Sequence, residues 1–110
     1  MNKASRVLLY ERLETEFGRD NQLVKAIEEF SELTKELTKV LGKKTLTNSK
    51  SICGEIADAK VSLEQLERFY DPKGKAIEVE MDYKMKRLEL YYLDKIQSAE
   101  PWESRKDAAV

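Results

Sequence analysis

An all-α fold follows from three features of the 110-residue sequence. Apolar residues recur at three- and four-residue steps through most of the chain, the period of a helix with one buried face. The breakers Gly18, Gly42, Pro72 and Gly74 fall between those periodic runs. The composition, 41% hydrophobic and 37% charged with 4 Gly and 2 Pro, belongs to an ordered, helix-forming chain rather than a disordered, fibrous or turn-rich one.

Four helices are expected. Leu8, Leu9, Leu13 and Phe17 outline a short first helix that ends near Gly18, a residue suited to a helix terminus. Asp20 or Asn21 caps a second helix, whose stripe is Leu23, Ile27, Phe30, Leu33, Leu37 and Leu41 and which stops at Gly42. The polar stretch from Gly42 to Lys50 forms a loop and offers caps for a third helix, from about Ser51 to Tyr70. Ile52, Ile56, Ala59, Leu63, Leu66 and Tyr70 make the stripe of that helix, and Asp71, Pro72, Lys73 and Gly74 end it.

The last segment, from about Lys75 to Ser98, carries two patterns. Ile77, Val79, Met81 and Tyr83 alternate as in a strand, whereas Ile77, Met81, Leu88, Tyr92 and Ile96 fit a helix. Its length without an internal breaker favours helix. The expected architecture is a four-helix bundle-like protomer over residues 1–100, one domain, followed by a flexible tail over 101–110. A bundle this thin buries only about two thirds of its unfolded surface, so oligomerisation is expected to complete the core.

Charge and composition exclude several functions. With 20 Lys plus Arg against 21 Asp plus Glu, the chain lacks the global positive field that draws a protein onto nucleic acid. A single cysteine, Cys53, and no histidine rule out an internal disulfide and the usual zinc ligand sets, leaving hard oxygen ligands. Proton transfer then falls to carboxylates, lysine or metal-bound water. The run Val7, Leu8, Leu9 is too short for the core of a signal peptide, and no segment approaches the ~20 apolar residues of a membrane span. A cytoplasmic protein without membrane or nucleic-acid partners is the expectation.

The candidate chemistry lies in two acidic pairs. Glu29 and Glu32 stand three apart on the second helix, and Glu55 and Asp58 three apart on the third, so each pair projects from neighbouring turns. Two packed helices aim such a set at one point, which suits Mg²⁺ and its octahedral oxygen shell, with Mn²⁺ as the alternative. Glu55 and Asp58 flank the apolar stripe of their helix, with Ser62 and Gln65 continuing the same side. Glu32 lies nearly opposite the stripe of the second helix, which requires a further contact surface or a cleft. The plain alternative is a solvated acidic face.

The segment QLVKAIEEFSELTKEL, Gln22 to Leu37, followed by EIADAKVSLEQL, Glu55 to Leu66, resembles the E-x-x-E then E-x-x-D signature of the MazG-like all-alpha NTP pyrophosphatases, in particular the short forms of phages and prophages. The resemblance spans roughly the middle half of the chain, and KMKRL at Lys84 to Leu88 is similar to the basic stretch of their fourth helix. Ala59, where a β-branched residue is common, and the bulky Phe30 depart from the pattern and concern packing only.

The resemblance implies a homodimer or homotetramer that hydrolyses a nucleoside triphosphate, NTP or dNTP, to the monophosphate and pyrophosphate. It assigns Glu29, Glu32, Glu55 and Asp58 to the metal. Glu28 or Glu32 would serve as the general base, sequence alone not separating base from ligand. Lys84 and Arg87, three apart on the last helix, would meet triphosphate oxygens, against the alternative of a solvated basic face. A non-catalytic helical interaction or regulatory protein with the same fold is the competing function.

Overall fold

The computed structural model describes residues 1–42 and 49–97, and these form four helices and no strand. They are α1 (Lys3–Phe17), α2 (Arg19–Gly42), α3 (Ser49–Tyr70) and α4 (Ala76–Gln97). The last segment is therefore helical, as its length requires, and the strand-like alternation is incidental. The chain divides into two compact units, Met1–Pro72 with α1 to α3, and a second from Lys73 onward whose described part is α4. Residues 43–48, the centre of the expected loop, and the expected tail over 101–110, with Trp102, lie outside the described residues.

Local chemistry sets the helix ends. The Asn2 side chain accepts the Ser5 backbone N–H at 2.8 Å and caps α1. One residue, Gly18, separates α1 from α2: its N–H donates to the Glu14 carbonyl at 2.8 Å, and its own carbonyl receives the Gln22 N–H at 3.3 Å. Gly18 does this at φ 83°, ψ 158°, a conformation essentially reserved for glycine. Asn21, expected to cap α2, instead donates its side-chain amide back to the Phe17 carbonyl and closes α1. Asp20 sits in the first turn of α2, where a negative charge suits the helix dipole.

In the first unit α2 and α3 are antiparallel neighbours, with Gln22 at the start of α2 reaching Gln65 late in α3 at 3.3 Å. The seam is made of small and polar side chains: Ala26 and Ala59 are 4% and 5% exposed, and Ser62 and Gln65 are buried with them. Leu23, Phe30, Leu33, Ile52 and Leu66 are half-buried beside it. Ile27, Leu37, Leu41, Ile56, Leu63 and Tyr70, expected on the inner stripes, are exposed. The alanines stand at the centre of the contact, so the helical phase that buries them also carries Ser62 and Gln65 inward and leaves Ile27, Ile56 and Leu63 outside.

The first helix shows the same displacement. Tyr10, not Leu8, Leu9 or Phe17, is its buried residue. Its inner face also holds Arg6 and Glu14, which are tied to α3: Arg6 Nε to Glu64 Oε1 at 2.6 Å and Arg68 Nη2 to Glu14 Oε1 at 2.9 Å. Arg19 joins the second pair at 3.3 Å from Glu14, and the guanidiniums of Arg19 and Arg68 stand 4.5 and 4.9 Å from the centre of the Phe69 ring. Among the described residues, no helix is long and apolar enough to cross a membrane.

Two glycines separate backbone need from helix propensity. A Cβ at either Gly18 or Gly54 meets nothing within 4 Å, so neither substitution creates a clash. Gly18→Ala is expected to destabilise by about 1–3 kcal/mol, because alanine resists that backbone conformation. Gly54→Ala, inside α3, is expected to stabilise by about 1 kcal/mol. Thermal or urea unfolding of both variants measures the two signs, and a stabilising Gly18→Ala would contradict the junction described here.

Candidate metal centre

The seam that buries Ala26 and Ala59 also carries carboxylates. Glu29 lies one helical turn beyond Ala26 on the same face of α2, and Glu55 one turn before Ala59 on α3, so both are half-buried by the same approach. Asp58, next to Ala59, is exposed at the rim. Glu29, Glu55 and Asp58 each offer a carboxylate oxygen, and these three oxygens all lie within 4.8 Å of one another.

Glu32 and Glu28 stand outside this trio, and both are exposed on α2. Glu32 nevertheless acts on it, since its charge is among those that raise the pKa of Glu55. Glu36, half-buried two turns beyond Glu29, also adds to that field and is held by Lys39 Nζ at 3.1 Å. Sequence reasoning passed over Glu36. The signal was present in the seven-residue spacing from Glu29, which returns a helix to nearly the same face. Lys84 and Arg87 lie on α4, in the second unit, where the Arg87 guanidinium stands 5.8 Å from the centre of the Tyr83 ring.

One lysine faces the acids. Lys25 Nζ is 3.0 Å from Glu29 Oε1, one turn earlier on α2. Its pKa is raised by the bond and charge of Glu29 and further by Glu28 and Asp58, so it is held as a cation within the field of the cluster. Among the described residues, no salt bridge is made by Glu55. Burial pushes its carboxyl pKa up, and the neighbouring charges of Asp58, Glu32, Glu29 and Glu36 push it the same way.

The donor set suits a hard divalent cation in type and number. Mg²⁺ bonds oxygen at about 2.1 Å and so places its ligands about 3–4 Å apart. The trio's oxygens, spread over up to 4.8 Å, are wider than that range and would have to draw together to ligate. Three carboxylates from two helices also leave half of an octahedral shell for water or substrate oxygens, the usual arrangement for Mg²⁺ in phosphate chemistry. No protein-family model matches the chain, and no curated protein or solved structure matches it.

The raised pKa of Glu55 has a defined effect on stability. The folded chain keeps this proton to higher pH than the unfolded chain does, so stability falls as pH rises from the ordinary carboxylate range through the folded pKa. Above that pKa the penalty is complete. Glu55→Gln is therefore expected to raise the melting temperature at pH 7 in the presence of a chelator. The advantage should vanish below about pH 4, where both states hold the proton in the parent chain. A melting temperature for Glu55→Gln below that of the parent at pH 7 would refute the repulsion assigned to this site.

Proposed function

We propose that this chain is a Mg²⁺-dependent nucleoside triphosphate pyrophosphohydrolase of the MazG-like kind, acting as a homodimer or homotetramer. The observation that carries the reading is the convergence of Glu29, Glu55 and Asp58, three residues of the acidic signature, on one point between two helices. In this reading Glu29, Glu55 and Asp58 hold the metal and Glu32 completes the set. When bound, the cation supplies neutralisation of phosphoryl charge and acidifies a coordinated water.

The protein groups have separate tasks. Water attacks the α-phosphorus, the bond from that phosphorus to the α–β bridging oxygen breaks, and pyrophosphate leaves with the bridging oxygen. Glu32, one turn from Glu29, or Glu28 accepts the proton of the attacking water. For Lys84 and Arg87, on α4, the phosphate-binding role is the one the resemblance implies. Lys25 compensates part of the acidic charge by its contact with Glu29 at 3.0 Å, a carboxylate it would share with a bound divalent cation.

The competing reading is a non-catalytic helical interaction protein, favoured by the many large apolar side chains left exposed on all four helices. One experiment separates the two. The purified chain is incubated with canonical and modified NTPs and dNTPs, with and without Mg²⁺, and the products are resolved by chromatography. Monophosphate and pyrophosphate are expected with Mg²⁺, or more weakly with Mn²⁺, and neither with chelator. Glu55→Gln and Asp58→Asn are expected to lower kcat/KM at least 100-fold while the helical circular dichroism is retained. Turnover unchanged in both variants removes the metal assignment, and a folded parent inert toward every nucleotide favours the interaction protein.

A further inference from the structure

Lys25 is the cation that the structure sets against the acidic trio, and its contact with Glu29 makes a poor structural pair. The two stand four apart on α2 with the lysine first, the less favourable order along a helix. The Lys25 side chain is 62% exposed, whereas that of Glu29 is 16% exposed. An ion pair so open to solvent on one side adds little to stability. The seam holds the carboxylate in place, and the ammonium reaches it from solvent on a flexible stem.

The position of that ammonium suits a second contact. At 3.6 residues per turn, Lys25, Glu29 and Glu32 lie on one side of α2, and the charges of Glu28 and Asp58 act on Lys25 together with that of Glu29. Lys84 and Arg87 belong to the second unit, so Lys25 is positive charge that the first unit itself brings to the trio. With a divalent cation on Glu29, Glu55 and Asp58, two positive charges would share Glu29, and they repel. The repulsion ends when the ammonium turns to another anion. Mg²⁺ is commonly held by one or two carboxylates together with substrate phosphate oxygens, so such an anion arrives with the metal.

We propose that Lys25 binds phosphate by exchange: its ammonium leaves Glu29 for an oxygen of the polyphosphate that arrives with the divalent cation. Lys25 thereby weakens binding of the cation alone and strengthens binding of the cation together with a polyphosphate. Loading of the metal becomes conditional on substrate. This inference rests on the proposed cation site at Glu29, Glu55 and Asp58 and adds a residue and a binding order to it.

The full-length chain tests it with two probes. Mn²⁺ alone, followed by the loss of its free electron paramagnetic resonance signal, is expected to bind Lys25→Met roughly fivefold tighter than the parent, because a repelling charge is gone. Inorganic pyrophosphate, titrated calorimetrically at saturating Mg²⁺, is expected to bind Lys25→Met about tenfold more weakly than the parent, because a charge-assisted contact is gone. Methionine matches lysine as a helix former, and circular dichroism checks that the variant folds. If the parent binds Mn²⁺ and Lys25→Met binds it no tighter, or if Lys25→Met keeps the parent's affinity for pyrophosphate, the exchange is overturned while the cation site stands. Mn²⁺ bound by neither chain overturns both.

Discussion

Ala26 and Ala59 decide how the first unit packs. Side chains this small let α2 and α3 approach until residues that would otherwise sit at the edge of the contact are carried inside it. On α3 these are Ser62 and Gln65, the latter finding Gln22 at 3.3 Å. Toward the other end of the seam they are Glu29 and Glu55, half-buried and close enough to share a charge field. Ile27, Ile56 and Leu63 are turned outward by the same rotation and remain exposed. One geometric choice thus produces both the acidic site and the uncovered apolar surface.

A seam of alanine, serine and glutamine buries little apolar area, and burial of that kind contributes only about 25 cal/mol per Å². The first helix is fastened by a different force. Arg6 with Glu64 and Glu14 with Arg68 fix two levels of α1 against α3, and Tyr10 is buried between those levels. Burial and the Glu64 carboxylate raise the pKa of Tyr10, whereas the Arg68 and Arg19 guanidiniums lower that of Glu14. The depressed Glu14 contributes stability that is present above the ordinary carboxylate range and lost as pH falls through its folded pKa. Glu55 has the opposite sign. The clamp and the acidic cluster therefore respond to pH in opposite directions, and both act through α3.

The sequence showed the helices more clearly than their faces. Gly18 and Pro72 mark real ends, and the boundaries read from them lie within a few residues of those observed. Helix phase was harder, because a stripe of leucine and isoleucine signals what is buried somewhere, whether inside one chain or between chains. Ile27, Leu37, Leu63 and Tyr70 obey the period and still lie outside the seam. Arg6, Glu14 and Arg68, the groups that dock α1, are charged residues that a hydrophobic pattern discards. The acidic spacings were legible because three- and four-residue steps on a helix are local. Lys25 was not, since its part depends on which face of α2 meets α3, whereas Glu36 carried a signal in its spacing from Glu29.

The fold itself does not require the acids at positions 29 and 55. The same seam accepts uncharged polar side chains at Ser62 and Gln65, which are buried without loss of packing. Carboxylates there are costly instead: Glu55 is desolvated and surrounded by the charges of Asp58, Glu32, Glu29 and Glu36, and among the described residues no salt bridge holds it in the way Lys25 holds Glu29. Repulsion of this kind is relieved by protonation or by a divalent cation, and at neutral pH only the cation leaves the oxygens able to act as ligands. The three carboxylate oxygens within 4.8 Å of one another, at the rim of a seam that their charges weaken, are what the proposed cation site rests on.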